Sequence, residues 1–171
     1  VQPRAGLRTS TDSLVLAASL PTRDGGAMLE FGTGCGGALL PAAWRLPEIH
    51  FTGLESVADL SPLARRGAQE NGFAYRVVIL DAIAIDWATS HENRFECVFS
   101  NPPFFEPGRI SPPGDGKTQA YMQSVPIEDW LRAMVFATRP RGTIIVLHRA
   151  AELARILAPL DRWGGEITVW P

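Results

Sequence analysis

Ala27-Met28-Leu29-Glu30-Phe31-Gly32-Thr33-Gly34-Cys35-Gly36-Gly37 begins as an apolar run and ends in glycines. A short run that is apolar on both faces describes a strand covered on both sides, and the glycines open a turn into Gly37 to Arg45, which reads as a helix. Strand, glycine turn and helix together make the first half of a strand-helix-strand unit. The rest of the chain repeats that alternation. Apolar or β-branched runs at Ile49 to Glu55, Arg76 to Leu80, Phe95 to Ser100, Thr143 to His148 and Glu166 to Trp170 complete a set of six predicted strands. Between them, Asp59 to Asn71, Pro126 to Thr138 and Ala150 to Leu160 read as helices, the first with Pro62 in its opening turn and Asn71-Gly72 as its stop. A further helix, Asp12 to Leu20, stands behind a Ser10/Thr11 cap. The pattern predicts an α/β fold, a mostly parallel sheet with helices on both faces.

The bulk numbers narrow the function classes. With 171 residues and 46% hydrophobic composition the chain can bury a core, and its length suggests one domain over residues 1–171. Within it, 1–26 form an N-terminal segment and helix, 27–100 a cofactor-binding half and 101–171 a substrate-side half. No apolar run approaches the ~18 residues needed to span a bilayer, and the start lacks a secretion pattern. The expectation is a soluble, cytoplasmic protein with no membrane partner. A net charge of −2 and a pI near 5.9 argue against a broad basic face for nucleic acid. Any such contact must be local. Lys117 is the only lysine, an arginine bias that codon usage explains without function. Cys35 and Cys97 make no disulfide framework, and His50, His91 and His148 are scattered, so no metal is expected. The chain begins at Val1 and stops at Pro171 just after the last run, as a piece of a longer protein would.

Gly32, Gly34 and Gly37 formally satisfy G-x-G-x-x-G, which raises nicotinamide or flavin binding as one reading. Small residues there let any ligand lie against the backbone at a helix N-terminus. The second strand ends in Glu55, where a carboxylate can accept from both ribose hydroxyls, and the third ends in Asp81, where one could accept from an adenine amino group. Together they describe an adenosine site. Glu30, beside the glycine turn, is unfavourable next to a pyrophosphate and suits the cationic end of a cofactor, favouring S-adenosylmethionine over NAD.

The fourth strand ends in Asn101-Pro102-Pro103-Phe104, which reads either as a Pro-Pro turn or as a holder for a planar amine. An amine conjugated to a ring or carbonyl is a poor nucleophile until acceptors hold its N–H groups. Asn101 can supply a side-chain oxygen and Pro102 a backbone carbonyl, with Pro103 fixing the direction of that carbonyl and Phe104 offering a face for stacking. The loop 105–124 that follows contains Arg109 and Lys117, candidates for RNA contact or a lid.

These residues resemble the class I S-adenosylmethionine-dependent methyltransferases that carry an Asn-Pro-Pro-aromatic motif, and more narrowly the bacterial tRNA1(Val) (adenine37-N6)-methyltransferase family. The likeness runs from Gln2-Pro3 and Ser10 to Ala17, through Gly32, Gly53-Leu54-Glu55 and Asn71-Gly72, to Ser100-Asn101-Pro102-Pro103-Phe104-Phe105 and Arg139-Pro140-Arg141-Gly142. It implies a doubly wound, Rossmann-like sheet in which Gly32, Thr33 and Gly34 line the methionine part of the cofactor, Glu55 binds its ribose, and Asp81 with Ala82 meets its adenine. It also implies that Thr11 and Asp12 belong to a segment brought over the cofactor, that Asn101 and Pro102 hold the amine, and that an RNA, a tRNA in this family, is the substrate. Many members have tyrosine where Phe104 stands, and the family's closing hairpin strand and tail, expected after Trp170, are not in the sequence. The same motif serves guanine-N2 methylation of ribosomal RNA and glutamine methylation of release factors, and both stay open as acceptors.

Overall fold

The structure, a computed structural model, describes residues 9–102 and 125–170. Strands β1 (Ala27–Phe31), β2 (His50–Glu55), β3 (Val77–Asp81), β4 (Phe95–Ser100) and β5 (Thr138–Val146) form one sheet in the order β3-β2-β1-β4-β5. Every pairing in it is parallel. Strand β1 lies at the centre, and the order reverses direction beside it, between β1 and β4. In such sheets that switch point opens a crevice at the carboxyl ends of the strands.

Helices cover both faces, as the strand-helix alternation requires. On one face, α1 (Thr11–Ser19), α2 (Leu39–Arg45) and α3 (Ser61–Glu70) bury Leu16, Leu39 and Ala64 against Met28, Phe51 and Phe99. On the other, α4 (Ala84–Ala88), α5 (Ile127–Ala137) and α6 (Leu153–Trp163) bury Ala84, Leu131, Met134 and Ile156 against Leu29, Phe31, Leu54 and Val98. Successive strand residues therefore feed opposite cores, which explains why β1 is apolar on both sides. Local signals set several element ends. The Ser10 hydroxyl accepts from the Ser13 amide at 3.4 Å to open α1, Pro62 occupies the first turn of α3, and Asn71 closes that helix ahead of Gly72 at φ +71°.

Two expectations need correction, and one helix was not foreseen. Residues 166–170 are exposed and form no strand, because an extended segment becomes a strand only where a neighbour takes up its backbone groups, and these have no neighbouring strand among the described residues. The fifth strand begins at Thr138 rather than Thr143, with a register irregularity opposite Phe95 and Cys97 where Arg141 takes φ +63°. Helix α4 has only five residues, too short for a periodic signal in the sequence.

Gly53 in β2 is required by packing. A Cβ there would stand 2.3 Å from Thr33 Oγ1 and 2.8 Å from Leu39 Cδ1. Gly53→Ala is expected to lower stability by about 1–3 kcal/mol, as overpacking does, and to push Thr33 off Glu30. Denaturant unfolding of the variant would check it; an unchanged midpoint would mean the neighbours yield freely.

Candidate functional site

The ends of β1 and β2 build the first part of the site. After Phe31 the chain turns through Gly32 at φ +73° and Gly34 at φ +58°, a left-handed backbone that favours glycine. The Gly32 and Thr33 amides both donate to the Leu54 carbonyl, at 2.9 and 3.0 Å, which pins the turn to the end of β2. Glu55 then closes it from the other side. Its Oε2 accepts from the Gly34 amide at 2.6 Å, and its Oε1 from the Val57 amide at 2.8 Å. Each carboxylate oxygen keeps a second lone pair. A Cβ on Gly34 would meet no atom within 4 Å, so the turn borders open space that a ligand can enter.

Beneath this turn Glu30 is buried, and its Oε2 accepts from the Thr33 hydroxyl at 2.7 Å. Burial pushes the Glu30 carboxyl up to about 8, against the pull of the Thr33 hydrogen bond and with a further push from the Glu55 charge. Glu55 is shifted upward as well, mainly by burial, with its amide donors opposing. Two acids side by side in a low-dielectric pocket resist ionising together. A cation entering the cleft relieves both.

Asp81 ends β3 one strand further out. It accepts from the Ser61 hydroxyl and from the Arg65 guanidinium, and these two partners, in that order, hold its carboxyl below the ordinary range. Its side chain remains 60% exposed toward solvent, so it is an ionised acceptor at the rim. The Ala82 amide donates to the Glu55 carbonyl at 2.9 Å and ties the ends of β2 and β3 together.

Strand β4 delivers the other half. Ser100 pairs in register with Phe31, so Asn101 leaves the sheet beside the glycine turn. Asn101 Oδ1 is buried and has no hydrogen-bond partner among the described residues, and Pro102 is buried next to it. A buried acceptor without a donor is costly and marks a place where a donor is expected. Pro103, Phe104 and the loop with Arg109 and Lys117 lie outside the described residues. The N-terminal segment does reach the glycine turn, though through other residues than Thr11 and Asp12, which are exposed in the first turn of α1. Thr9 Oγ1 and Ser13 Oγ lie 3.3 and 3.0 Å from where a Cβ on Gly37 would stand.

Sequence reasoning missed four contributors: Ser61 and Arg65, which hold Asp81, and Ser100 and Trp130, which meet beneath Asn101. The i,i+4 spacing of Ser61 and Arg65 on one helix face was an available signal. For Trp130 the sequence offered none.

A sequence profile of the methyltransferase small domain matches residues 8–112, which include the glycine turn, Glu55, Asp81 and Asn101. The chain belongs to this family. The membership bears out the methyltransferase resemblance read from the motifs. Among curated relatives, the tRNA1(Val) (adenine(37)-N6)-methyltransferase of Dyadobacter fermentans is 23% identical over 98% of this chain and 69% of its own length. Its counterpart in Mannheimia succiniciproducens is 30% identical over 86% of this chain and 62% of its own. In the Enterobacter relative the match is 33% identical and covers 43% of that protein, so the chain spans about half to two thirds of the relatives' length.

Solved structures agree on the fold. A precorrin-6y C5,15-methyltransferase from Geobacter metallireducens superposes with a TM-score of 0.69 at 15% identity, over 96% of this chain and 75% of that one. A methyltransferase from Geobacter sulfurreducens, solved with S-adenosylhomocysteine, gives 0.58 at 20% identity over 81% of this chain and 47% of its own. The [4+2]-cyclase SpnF gives 0.71 at 18% identity, over 98% and 62%. That a cyclase shares the small domain's architecture means that shape alone does not assign chemistry. The side chains at the strand ends must carry it.

Among the described residues no helix is long and apolar enough to cross a membrane, and no group of three or more His, Cys, Asp or Glu residues is gathered for a metal.

Proposed function

We propose that the protein is a cytoplasmic, single-domain S-adenosylmethionine-dependent N-methyltransferase whose acceptor is the exocyclic amine of adenine in a tRNA. The observation that supports amine chemistry is the buried Oδ1 of Asn101, unpartnered among the described residues and set beside a cleft rimmed by Glu55 and Asp81. The cofactor fits the donor set. Glu55 has lone pairs left for two ribose hydroxyls, Asp81 is an ionised acceptor for an adenine amino group, and open space at Gly34 admits the chain between them. Glu30 and Glu55 would favour the cationic end. When bound, the cofactor supplies an electrophilic methyl group.

This chain's own task is then to hold the amine and to favour the charge it acquires. Asn101 Oδ1 and the Pro102 carbonyl each accept one N–H, which turns the nitrogen lone pair out of conjugation and strengthens both hydrogen bonds as the nitrogen becomes positive. Alignment supplies most of the remaining acceleration. A base reaching the motif must leave its RNA stack to do so. The choice of adenine and of tRNA rests on the relatives' names.

Titration with S-adenosylhomocysteine is expected to raise the melting temperature, by about 2.7 kcal/mol of added stability at a hundredfold excess over Kd, while NAD does nothing. A shift with NAD alone would sink the proposal. Incubation with labelled S-adenosylmethionine and bulk RNA, followed by mass mapping of nucleosides, is expected to yield N6-methyladenosine in tRNA. N2-methylguanosine in ribosomal RNA, or methylglutamine in a protein, would reassign the acceptor and keep the reaction.

A further inference from the structure

Ser100 is wholly buried, and its hydroxyl donates to the Phe31 carbonyl at 2.9 Å while accepting from Trp130 Nε1 at 3.1 Å. Both hydrogen-bonding roles of the hydroxyl are filled, which fixes its rotor. Phe31 is the last residue of β1 and immediately precedes Gly32; Ser100 is the last of β4 and immediately precedes Asn101. One hydroxyl thus joins the backbone one residue before the glycine turn to the backbone one residue before the amine-holding motif. Trp130 supports that joint from α5. Its indole is 2% exposed, packs edge-to-face on Phe31 with centroids 5.7 Å apart, and places two ring carbons 3.8 and 3.9 Å from where a Cβ on Gly32 would stand.

We infer that Ser100 and Trp130 are positioning residues that lock the glycine turn and Asn101 into one rigid unit and so set the distance between the cofactor side and the amine side of the site. The inference rests on the methyl-transfer reading for its consequence and on the hydrogen bonds alone for its structure. Among the described residues no other side-chain hydrogen bond bridges these two strand ends: Glu55 ties the turn to β2, and Asp81 is tied to α3. Losing the bridge should therefore loosen both halves together. A misplacement of about 1 Å at a reacting centre costs on the order of a hundredfold in rate.

The test uses Ser100→Ala and Trp130→Phe, the second keeping the aromatic packing and removing only the donor. Amide hydrogen exchange in the full protein is expected to accelerate at residues 32–34 and at Asn101 together in both variants, with Val77–Asp81 of β3 unchanged. Acceleration at one of the two segments alone, or equally throughout the sheet, would overturn the inference, whether or not the protein transfers methyl groups. Where wild-type protein transfers methyl, Ser100→Ala is expected to lower the single-turnover rate about 10- to 100-fold per bound cofactor with S-adenosylhomocysteine affinity held within about threefold. Rate and affinity falling in step would assign Ser100 to folding only. Absence of transfer in the wild type counts against the functional proposal and leaves the exchange result to decide this one.

Discussion

Asn101→Ala lowers methyl transfer by at least about 10²–10³-fold, the loss typical of removing one preorganised group that stabilises developing charge, while leaving the affinity for S-adenosylhomocysteine within about threefold. The expectation follows from where Asn101 stands. Its Oδ1 is buried and bonds none of the described residues, so neither the hydrogen bonds that pin the glycine turn nor the cofactor contacts proposed for Glu55 and Asp81 pass through it. Most asparagine deletions in a buried position cost stability because a partner is stranded. This one strands no partner of Oδ1 among the described residues, and the melting temperature should hold. Rate measurements at saturating cofactor and RNA, with calorimetric titration of S-adenosylhomocysteine, read the two halves separately. Transfer surviving at the wild-type rate would remove Asn101 from the chemistry.

Glu30→Gln raises stability at pH 8 and flattens its pH dependence. The native carboxyl titrates at about 8, against an ordinary value of 4.5, so between those values the folded protein holds a proton that the unfolded chain releases. The sign follows. Stability associated with Glu30 is full below about pH 4.5 and is lost as pH rises through about 8, at about 1.4 kcal/mol for each pH unit of displacement. Glutamine keeps an oxygen to accept from the Thr33 hydroxyl and cannot ionise, so the slope disappears with it. Cofactor binding moves the opposite way. A cation placed beside Glu30 favours its ionised form, so wild-type affinity for S-adenosylmethionine should rise toward pH 8, and the variant should bind on the order of tenfold more weakly there with no such rise. Melting curves and cofactor titrations at pH 5 and pH 8 test both signs. Parallel pH profiles for wild type and variant would show that Glu30 is not the titrating group.

The two variants together separate the halves of the proposed site: Asn101→Ala tests the hold on the amine, Glu30→Gln the preference for the cation. The bridging hydroxyl of Ser100 couples them, and its loss is expected to lower rate without changing either chemical role.

Much of this arrangement was readable in the chain. The alternation of apolar runs with helical stretches located all five observed strands, because a strand covered on both faces places apolar residues on each, as Met28 and Leu29, Phe51 and Leu54, and Val98 and Phe99 do in β1, β2 and β4. The carboxylates and the amide at strand ends were also readable, since parallel strands with right-handed crossovers send all carboxyl ends to one edge. The sixth predicted strand failed for the converse reason. Ile167, Val169 and Trp170 have strand-like side chains and stand exposed, because composition cannot supply the neighbour that a ladder needs. Likewise Thr11 is a sound reading of a helix start, yet it is Thr9 and Ser13 that reach the glycine turn, since the direction of a side chain depends on how α1 docks.

By itself, then, the sequence determined the architecture and the residue types at each strand end, because periodicity and turn chemistry are local and are written in consecutive residues. Only the tertiary structure decided the protonation and partnering of those residues. It buried Glu30 under Thr33 and raised its carboxyl to about 8, set Ser61 and Arg65 on Asp81, left Asn101 Oδ1 without a donor among the described residues, and joined Phe31, Ser100 and Trp130 across 99 positions of chain, from 31 to 130. Desolvation and long-range hydrogen bonds depend on what packs nearby in space, and spacing along the chain does not carry that information.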